Sequence, residues 1–220
     1  DEFLEFYATL DSYIGELREM LSEETTLIVA SDHGFSRLDY EVHCNVWLEE
    51  QGWLEYRTDD HEALTDIADE TRAYSLIPGR FYINLEGREP RGSVPEDEYT
   101  EVRDELKAEL ESLEGPDGRP VADRVVTKEN AFRGDHDAIA PDLVVIPKSG
   151  FDLKAGFRSG DEIFGLGPRN GMHNFDDACL FVDDTDTVID DVDLYDIAPT
   201  ILDFMEVNFD RTEFDGRSLA

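Results

Sequence analysis

Two short apolar runs read as strands: residues 27–30 (LIVA), β-branched in the middle and followed at once by a polar turn, as a buried strand ending in a loop, and residues 142–147 (DLVVIP) as a strand suited to burial on both faces. Such strands need cover on each side, and the chain carries amphipathic helices to supply it. Phe3, Tyr7, Leu10, Ile14, Leu17 and Leu21 recur at helical spacing opposite Glu2, Glu5, Glu16 and Glu19, predicting a helix over 3–21 that packs on the sheet. A proline-opened helix is expected over 95–113, with Tyr99, Val102, Leu106, Leu110 and Leu113 on one face. A shorter one over 42–51 turns Trp47 and Leu48 inward and stops at Gly52; a last one over 193–205 tolerates Pro199 only in its first turn. The fold class implied is α/β, a largely parallel sheet with helices on both faces.

Residues 72–76 and 80–85 are strand-like runs separated by Ile77-Pro78-Gly79, and 121–127 is strand-like again. Their β-β-α-β order marks 60–135 as a small inserted α+β subdomain, leaving 1–59 and 136–220 as the core. Residues 149–174 are glycine-rich and aperiodic, a loop long enough to be functional or mobile. Residues 178–182 (ACLFV) read as another strand.

With 220 residues, 40% of them hydrophobic, the chain can bury one sizeable core. Its 54 acidic residues against 19 basic ones give a net charge of −35, and only Lys107, Lys128, Lys148 and Lys154 are lysine. Self-repulsion on that scale opposes compaction at moderate ionic strength, whereas at about 1 M salt the screening length falls to about 3 Å. A salt-adapted protein is expected. The same charge excludes nucleic acid and anionic membrane as standing partners, and a phosphate-bearing substrate would need local cations. No apolar run reaches 18 residues, so no segment spans a membrane. Cys44 and Cys179 lack a C-x-x-C neighbour and read as core thiols, which fits a reducing compartment and points to the cytoplasm. The opening on Asp1, in mid-helix pattern and without Met or signal peptide, reads as part of a longer protein.

Asp32 and His33 stand where the 27–30 run ends, at the kind of strand terminus where α/β sheets bind ligands. A carboxylate and an imidazole together there suggest a metal site; the alternative is an Asp that caps a turn beside an incidental loop His. Neighbours in a strand point to opposite faces, so sharing one ion requires a kink, for which Gly34 offers the freedom. His173, in Gly171-Met172-His173-Asn174, has a comparable glycine-flanked setting. His43 is expected to be packed, His61 to be solvated after Asp59-Asp60, and His136 to be flanked by carboxylates without forming a site. Arg169 and Asn170 are candidates for substrate contact. Asp183, Asp184, Asp186, Asp190 and Asp191 lack the glycine and terminal Glu of a calcium loop and read as solvated surface.

In order along the chain, VWLEEQGWL, RFYINLEGREPRG, APDLVV and the segment from Asp11 to Gly15 join S-D-H-G-F, G-M-H-N, D-I-A-P-T-I-L and D-G-R-S-L. Together these resemble the type I phosphodiesterase/nucleotide pyrophosphatase family of the alkaline phosphatase superfamily. The resemblance implies a metal-dependent phosphoric ester hydrolase acting on a small phosphoester or nucleotide, with two divalent ions, zinc or alternatively manganese. It implies Asp32 and His33 as ligands of the ion that also touches the nucleophile, and His173 as a ligand of the other. The family's Thr or Ser nucleophile and its P-D-x-x-x-H pair are not found in these residues. No catalytic residue is therefore assigned within the chain, which is expected to be the carboxy-terminal part of a catalytic domain, inactive or nearly so alone. Two metals about 4 Å apart stabilise both the attacking and the leaving oxygen, and their charge dominates locally even in an acidic protein. Competing readings are a phosphomonoesterase, sulfatase or phosphoglycerate-mutase-like relative, and a non-catalytic binding module. The motifs fix no oligomeric state.

Overall fold

The computed structural model describes residues 2–134, 136–158, 160, 162–175, 177–183 and 191–220. The elements run α1 (Glu2–Met20), β1 (Ile28–Ala30), β2 (Gly34–Arg37), β3 (Tyr40–His43), α2 (Cys44–Glu50), β4 (Ala73–Ile77), β5 (Arg80–Ile83) and α3 (Tyr99–Ser112). Then follow β6 (Ala122–Thr127), α4 (Lys128–Ala131), β7 (Leu143–Pro147), β8 (Phe151–Lys154), β9 (Phe164–Gly165), β10 (Gly171–Asn174), β11 (Leu180–Val182) and α5 (Ile197–Phe204). They divide into two compact units, Phe35–Asn174 and the pair of segments Asp1–Gly34 and Phe175–Ala220.

Phe35–Asn174 holds the hydrophobic core. Its main sheet has the order β4-β5-β7-β6, and every neighbouring pair is antiparallel. The β4–β5 hairpin turns at Gly79, whose φ of +71° and approach to the Val145 carbonyl, 2.8 Å from where a Cβ would stand, leave room only for glycine. Against this sheet α3 buries Val102, Leu106 and Leu110, the face its periodicity predicts. Each such side chain contributes about 1.5–3 kcal/mol when fully removed from water. Asn45 in α2 is buried and ties its helix to β4, donating to the Ser75 carbonyl and accepting from the Ser75 amide at 2.8 Å each.

The expected largely parallel sheet is not what forms. β3–β8 is parallel, but β1–β11, β3–β9 and the whole four-stranded sheet are antiparallel. The 142–147 run is buried as expected, with Leu143, Val144 and Val145 in the interior. Burial on both faces, however, is equally met by a central antiparallel strand, so the apolar run carries no direction. Residues 60–135, read above as an insertion, lie inside this unit and share their sheet with β7. The aperiodic stretch 149–174 contains β8, β9 and β10, which at two to four residues are too short to show a period. Residues 42 and 43 end β3 rather than opening a helix, and α2 stops as expected before Gly52, at φ +79°.

Two polar residues organise this interior. Asp142, 0% exposed, accepts from Arg88 Nη1 and Nη2 at 2.8 and 2.6 Å, Tyr99 Oη at 2.7 Å and the Ile83 amide at 2.7 Å. His61 is buried, not solvated: its ring stacks on Tyr56 with centroids 3.4 Å apart and its Nδ1 bonds the Phe157 carbonyl. The polar residues before it conceal a stacking partner five positions back.

In the other unit, β1 pairs with β11 through Ile28↔Val182, Val29↔Phe181 and Ala30↔Leu180. The strand read as buried is only half-covered, and Ala30 is exposed. α1 forms as predicted but presents Phe3, Phe6, Tyr7, Tyr13 and Met20 to solvent instead of packing them. Among the described residues, no large apolar side chain of this unit is buried. Polar bonds hold the end of the chain: Asp196 accepts from the amides of Asp193 and Arg217, and Thr200 Oγ1 accepts from the Leu219 amide. Pro199 sits in the first turn of α5, where its missing N–H costs nothing. Of the acidic stretch at 183–191, Asp184, Asp186 and Asp190 lie outside the described residues.

The two thiols part company. Cys44 is buried and its pKa is pushed up to about 12 by burial, whereas Cys179, expected in a core, is exposed on the segment leading into β11. A disulfide-exchange reagent such as 5,5′-dithiobis(2-nitrobenzoate) is therefore expected to titrate one thiol of the folded chain and two after denaturation. Cys179→Ser should bring the native count to zero.

Candidate metal centre

Strand β1 is pinned at its end by Ser31, whose amide donates to the Cys179 carbonyl at 2.9 Å and whose Oγ accepts from the Cys179 amide at 2.8 Å. Immediately after this clamp the chain bends at Asp32 and His33, and β2 begins at Gly34. The bend is the required kink, but it lies at the two candidate residues themselves; Gly34 is not among the glycines with positive φ. Asp32 Oδ1 and His33 Nε2 converge to 3.4 Å. His33 Nδ1 lies 2.9 Å from the Gly34 carbonyl oxygen, to which it can donate. Metal-bound histidines are commonly held by this backing bond.

A carboxylate oxygen and an imidazole nitrogen 3.4 Å apart also fit one ion spatially. Tetrahedral bonds of about 2.0–2.2 Å place two ligand atoms about 3.3–3.6 Å apart. The residues present therefore suit a divalent cation, and the Asp32 carboxylate, largely exposed, leaves the approach open.

His173 belongs to the other unit, on β10, where it is exposed. It lines a cleft of about 390 Å³ with Phe35, Met172, Asp152, Arg169 and Asn170. The Phe35 and His173 ring centroids lie 6.0 Å apart at 56°. Arg169, a candidate for substrate contact, instead bonds Glu41 Oε1 at 2.7 Å and Asp152 Oδ2 at 2.6 Å. Lys154 joins them at 3.6 Å from Glu41 and 2.6 Å from Asp152. The Arg169 hydrogen bond, aided by Lys154, holds the Glu41 carboxyl below the usual range in spite of its partial burial.

The structure thus brings Asp32 and His33 together and sets His173 in a cleft of its own unit. Within neither unit do the described residues gather three His, Cys, Asp or Glu side chains into one cluster. His43 closes β3, half-buried, and His136 precedes a 3-10 turn, exposed. Sequence reasoning singled out Arg169 but passed over Phe35 and the other members of its quartet, Glu41, Asp152 and Lys154. The signal for the quartet is the alternation in 151–154 (FDLK), which buries Phe151 and Leu153 and turns Asp152 and Lys154 the other way.

Residues 1–176 match the family model for type I phosphodiesterase / nucleotide pyrophosphatase. The chain belongs to this family. No curated protein and no solved structure matches it. The type I phosphodiesterase / nucleotide pyrophosphatase match encloses Asp32, His33 and His173, and with them the strand end and the cleft. The family indicates a hydrolase of the phosphodiesterase or nucleotide pyrophosphatase type, acting on small phosphoester or nucleotide substrates. No helix among the described residues is long and apolar enough to cross a membrane.

Proposed function

We propose that the chain forms the carboxy-terminal part of the catalytic domain of a divalent-metal-dependent phosphodiesterase or nucleotide pyrophosphatase, with Asp32, His33 and His173 as its metal ligands. The observation that carries this reading is the convergence of Asp32 Oδ1 and His33 Nε2, with the second ring nitrogen of His33 tied to the Gly34 carbonyl. Zinc fits an oxygen and nitrogen donor set, and manganese is the alternative. When bound, the ion supplies positive charge to the phosphoryl oxygens.

The chain's own residues prepare for it. The Gly34 carbonyl, 2.9 Å from Nδ1, anchors the His33 ring by one nitrogen while the other lies 3.4 Å from the Asp32 carboxylate. Asp32 brings the negative charge that fixes a cation there, and the Ser31–Cys179 clamp holds the strand end from which both residues project. A local cation is needed to draw a phosphate to a chain of net charge −35, which itself supports a high-salt setting. The P-D-x-x-x-H pair does not occur in these 220 residues, so the nucleophile and the remaining ligands are assigned to residues outside them.

Zinc titration of the chain against a chromophoric chelator tests the assignment. Asp32→Ala and His33→Ala are each expected to weaken zinc binding at least about tenfold, while His136→Ala leaves it alone. Retention of full affinity in both of the first two variants would refute the site.

A further inference from the structure

We propose that Arg169 is a positioning residue: it clasps Glu41 and Asp152 and thereby holds residues 166–170, and through them the His173 imidazole on β10, against the paired strands β3 and β8. The inference rests on the reading of His173 as a metal ligand and adds to it the side chain that keeps that ligand in place.

Glu41 on β3 and Asp152 on β8 stand directly across from each other in the parallel pair. Like charges side by side on two strands repel, so this pairing calls for a cation between them. Arg169 Nη2 supplies it, 2.7 Å from Glu41 Oε1 and 2.6 Å from Asp152 Oδ2. A terminal guanidinium nitrogen carries two hydrogens, one for each carboxylate. Lys154 adds a second cation from β8 itself, 2.6 Å from Asp152 and 3.6 Å from Glu41. The Glu41 and Asp152 side chains are only 16% and 23% exposed, so salt screens this clasp less than it screens a surface ion pair.

Apolar burial does little to fasten the segment to which Arg169 belongs. Between β9 and β10, Leu166, Pro168, Arg169 and Asn170 are all exposed. The segment instead lies on charge and backbone contacts. Gly167 passes so close to the Glu41 carboxylate that a Cβ would stand 3.1 Å from Oε2, and the Asn170 carbonyl accepts from the Leu38 amide at 3.1 Å. β10 starts at the next residue, Gly171, buries Met172 and turns His173 outward. A strand this short takes its direction from the residues that lead into it. The clasp, two positions before β10, therefore governs where the imidazole points.

Two variants of the metal-free chain test this. Arg169→Met keeps the apolar stem and removes the guanidinium, whereas Arg169→Lys keeps the charge without the fork. The readouts are hydrogen exchange of the Leu38 amide, whose acceptor lies in the clasped segment, and the side-chain ¹H–¹³C NMR signal of His173. In Arg169→Met the Leu38 amide is expected to exchange at least about tenfold faster and the His173 signal to shift. The Val145 amide, bonded to the Gly79 carbonyl in the main sheet, should stay as protected as in the wild type. Arg169→Lys should recover part of both changes. Faster exchange at Leu38 with an unmoved His173 signal would make Arg169 a loop anchor and overturn the positioning role. Wild-type behaviour of Arg169→Met at both reporters, or an equal loss of protection at Val145, would overturn it too. Zinc added to the wild type then probes the reading beneath: a His173 signal indifferent to zinc removes this residue from the ligand set and leaves the clasp standing.

Discussion

Asp142→Ala is expected to destabilise the Phe35–Asn174 unit by about 3–5 kcal/mol, the cost of breaking a buried ion pair from one side. The carboxylate is wholly buried and receives four hydrogen bonds, two of them from the Arg88 guanidinium. Its removal takes two hydrogen bonds and the buried counter-charge from Arg88, which keeps Glu89 and the Ile83 carbonyl as partners, and leaves the Ile83 amide without an acceptor inside the sheet. Lys128, 3.7 Å away, loses the same buried partner. Asp142→Asn keeps the volume and one acceptor but not the charge, and should fall between the wild type and alanine. Thermal melts followed by the fluorescence of Trp47 and Trp53, both in this core, should show the midpoint of Asp142→Ala lower by roughly 10 °C or more. A change under about 1 kcal/mol would mean that the network contributes only packing.

The same group sets an acid limit. Burial alone would raise the Asp142 pKa, but the hydrogen bonds from Arg88 and Tyr99, with the Arg88 charge and the Ile83 amide, outweigh it and hold the carboxyl below the usual range. A depressed folded value stabilises the unit above the unfolded carboxylate pKa of about 3.9, and that contribution disappears as pH falls through the folded value. Wild-type stability should therefore fall below about pH 4, and Asp142→Asn should show a shallower acid limb.

Raising potassium chloride from about 0.1 to 2 M should increase the melting midpoint of the chain by on the order of 10 °C. Ion pairs on the surface, such as Arg72–Glu105 and Arg211–Asp203, are each worth at most about 1 kcal/mol, and screening removes part of that. Against them stands the mutual repulsion left by 54 acidic and 19 basic residues, which screening also removes. The second effect wins because the unmatched charges outnumber the matched ones. Chloride is the appropriate anion, since sulfate would strengthen apolar burial as well and blur the cause. Buried pairs are screened far less, so the loss in Asp142→Ala should persist at both salt concentrations. A flat or falling midpoint would show that the acidic surface is not a source of instability.

Much of the helical structure was legible because α1 and α3 repeat their apolar residues over several turns, long enough for the period to declare itself. Strand direction was not, because Leu143, Val144 and Val145 would be apolar in either arrangement. The strands at 151–174 are shorter than any period they could display. Asp32 and His33 stood out by residue type and by their place after β1, and the bend between strands accounts for how adjacent side chains meet. Phe35 was hidden for the opposite reason: an aromatic residue in a strand reads as core, and only the solvent on its open face distinguishes it.

That no large apolar side chain is buried among the described residues of Asp1–Gly34 and Phe175–Ala220 has a thermodynamic corollary. Its α1, β1–β11 pair and α5 are held mainly by hydrogen bonds, so their amides should open at low free energy while those of β5 and β7 remain protected. No single unfolding constant then describes the polypeptide, and tryptophan emission follows only the half that contains both indoles. Because Asp32 and His33 reside in the softer half, a cation held there would tighten its own surroundings, and occupancy and local order would rise along one isotherm.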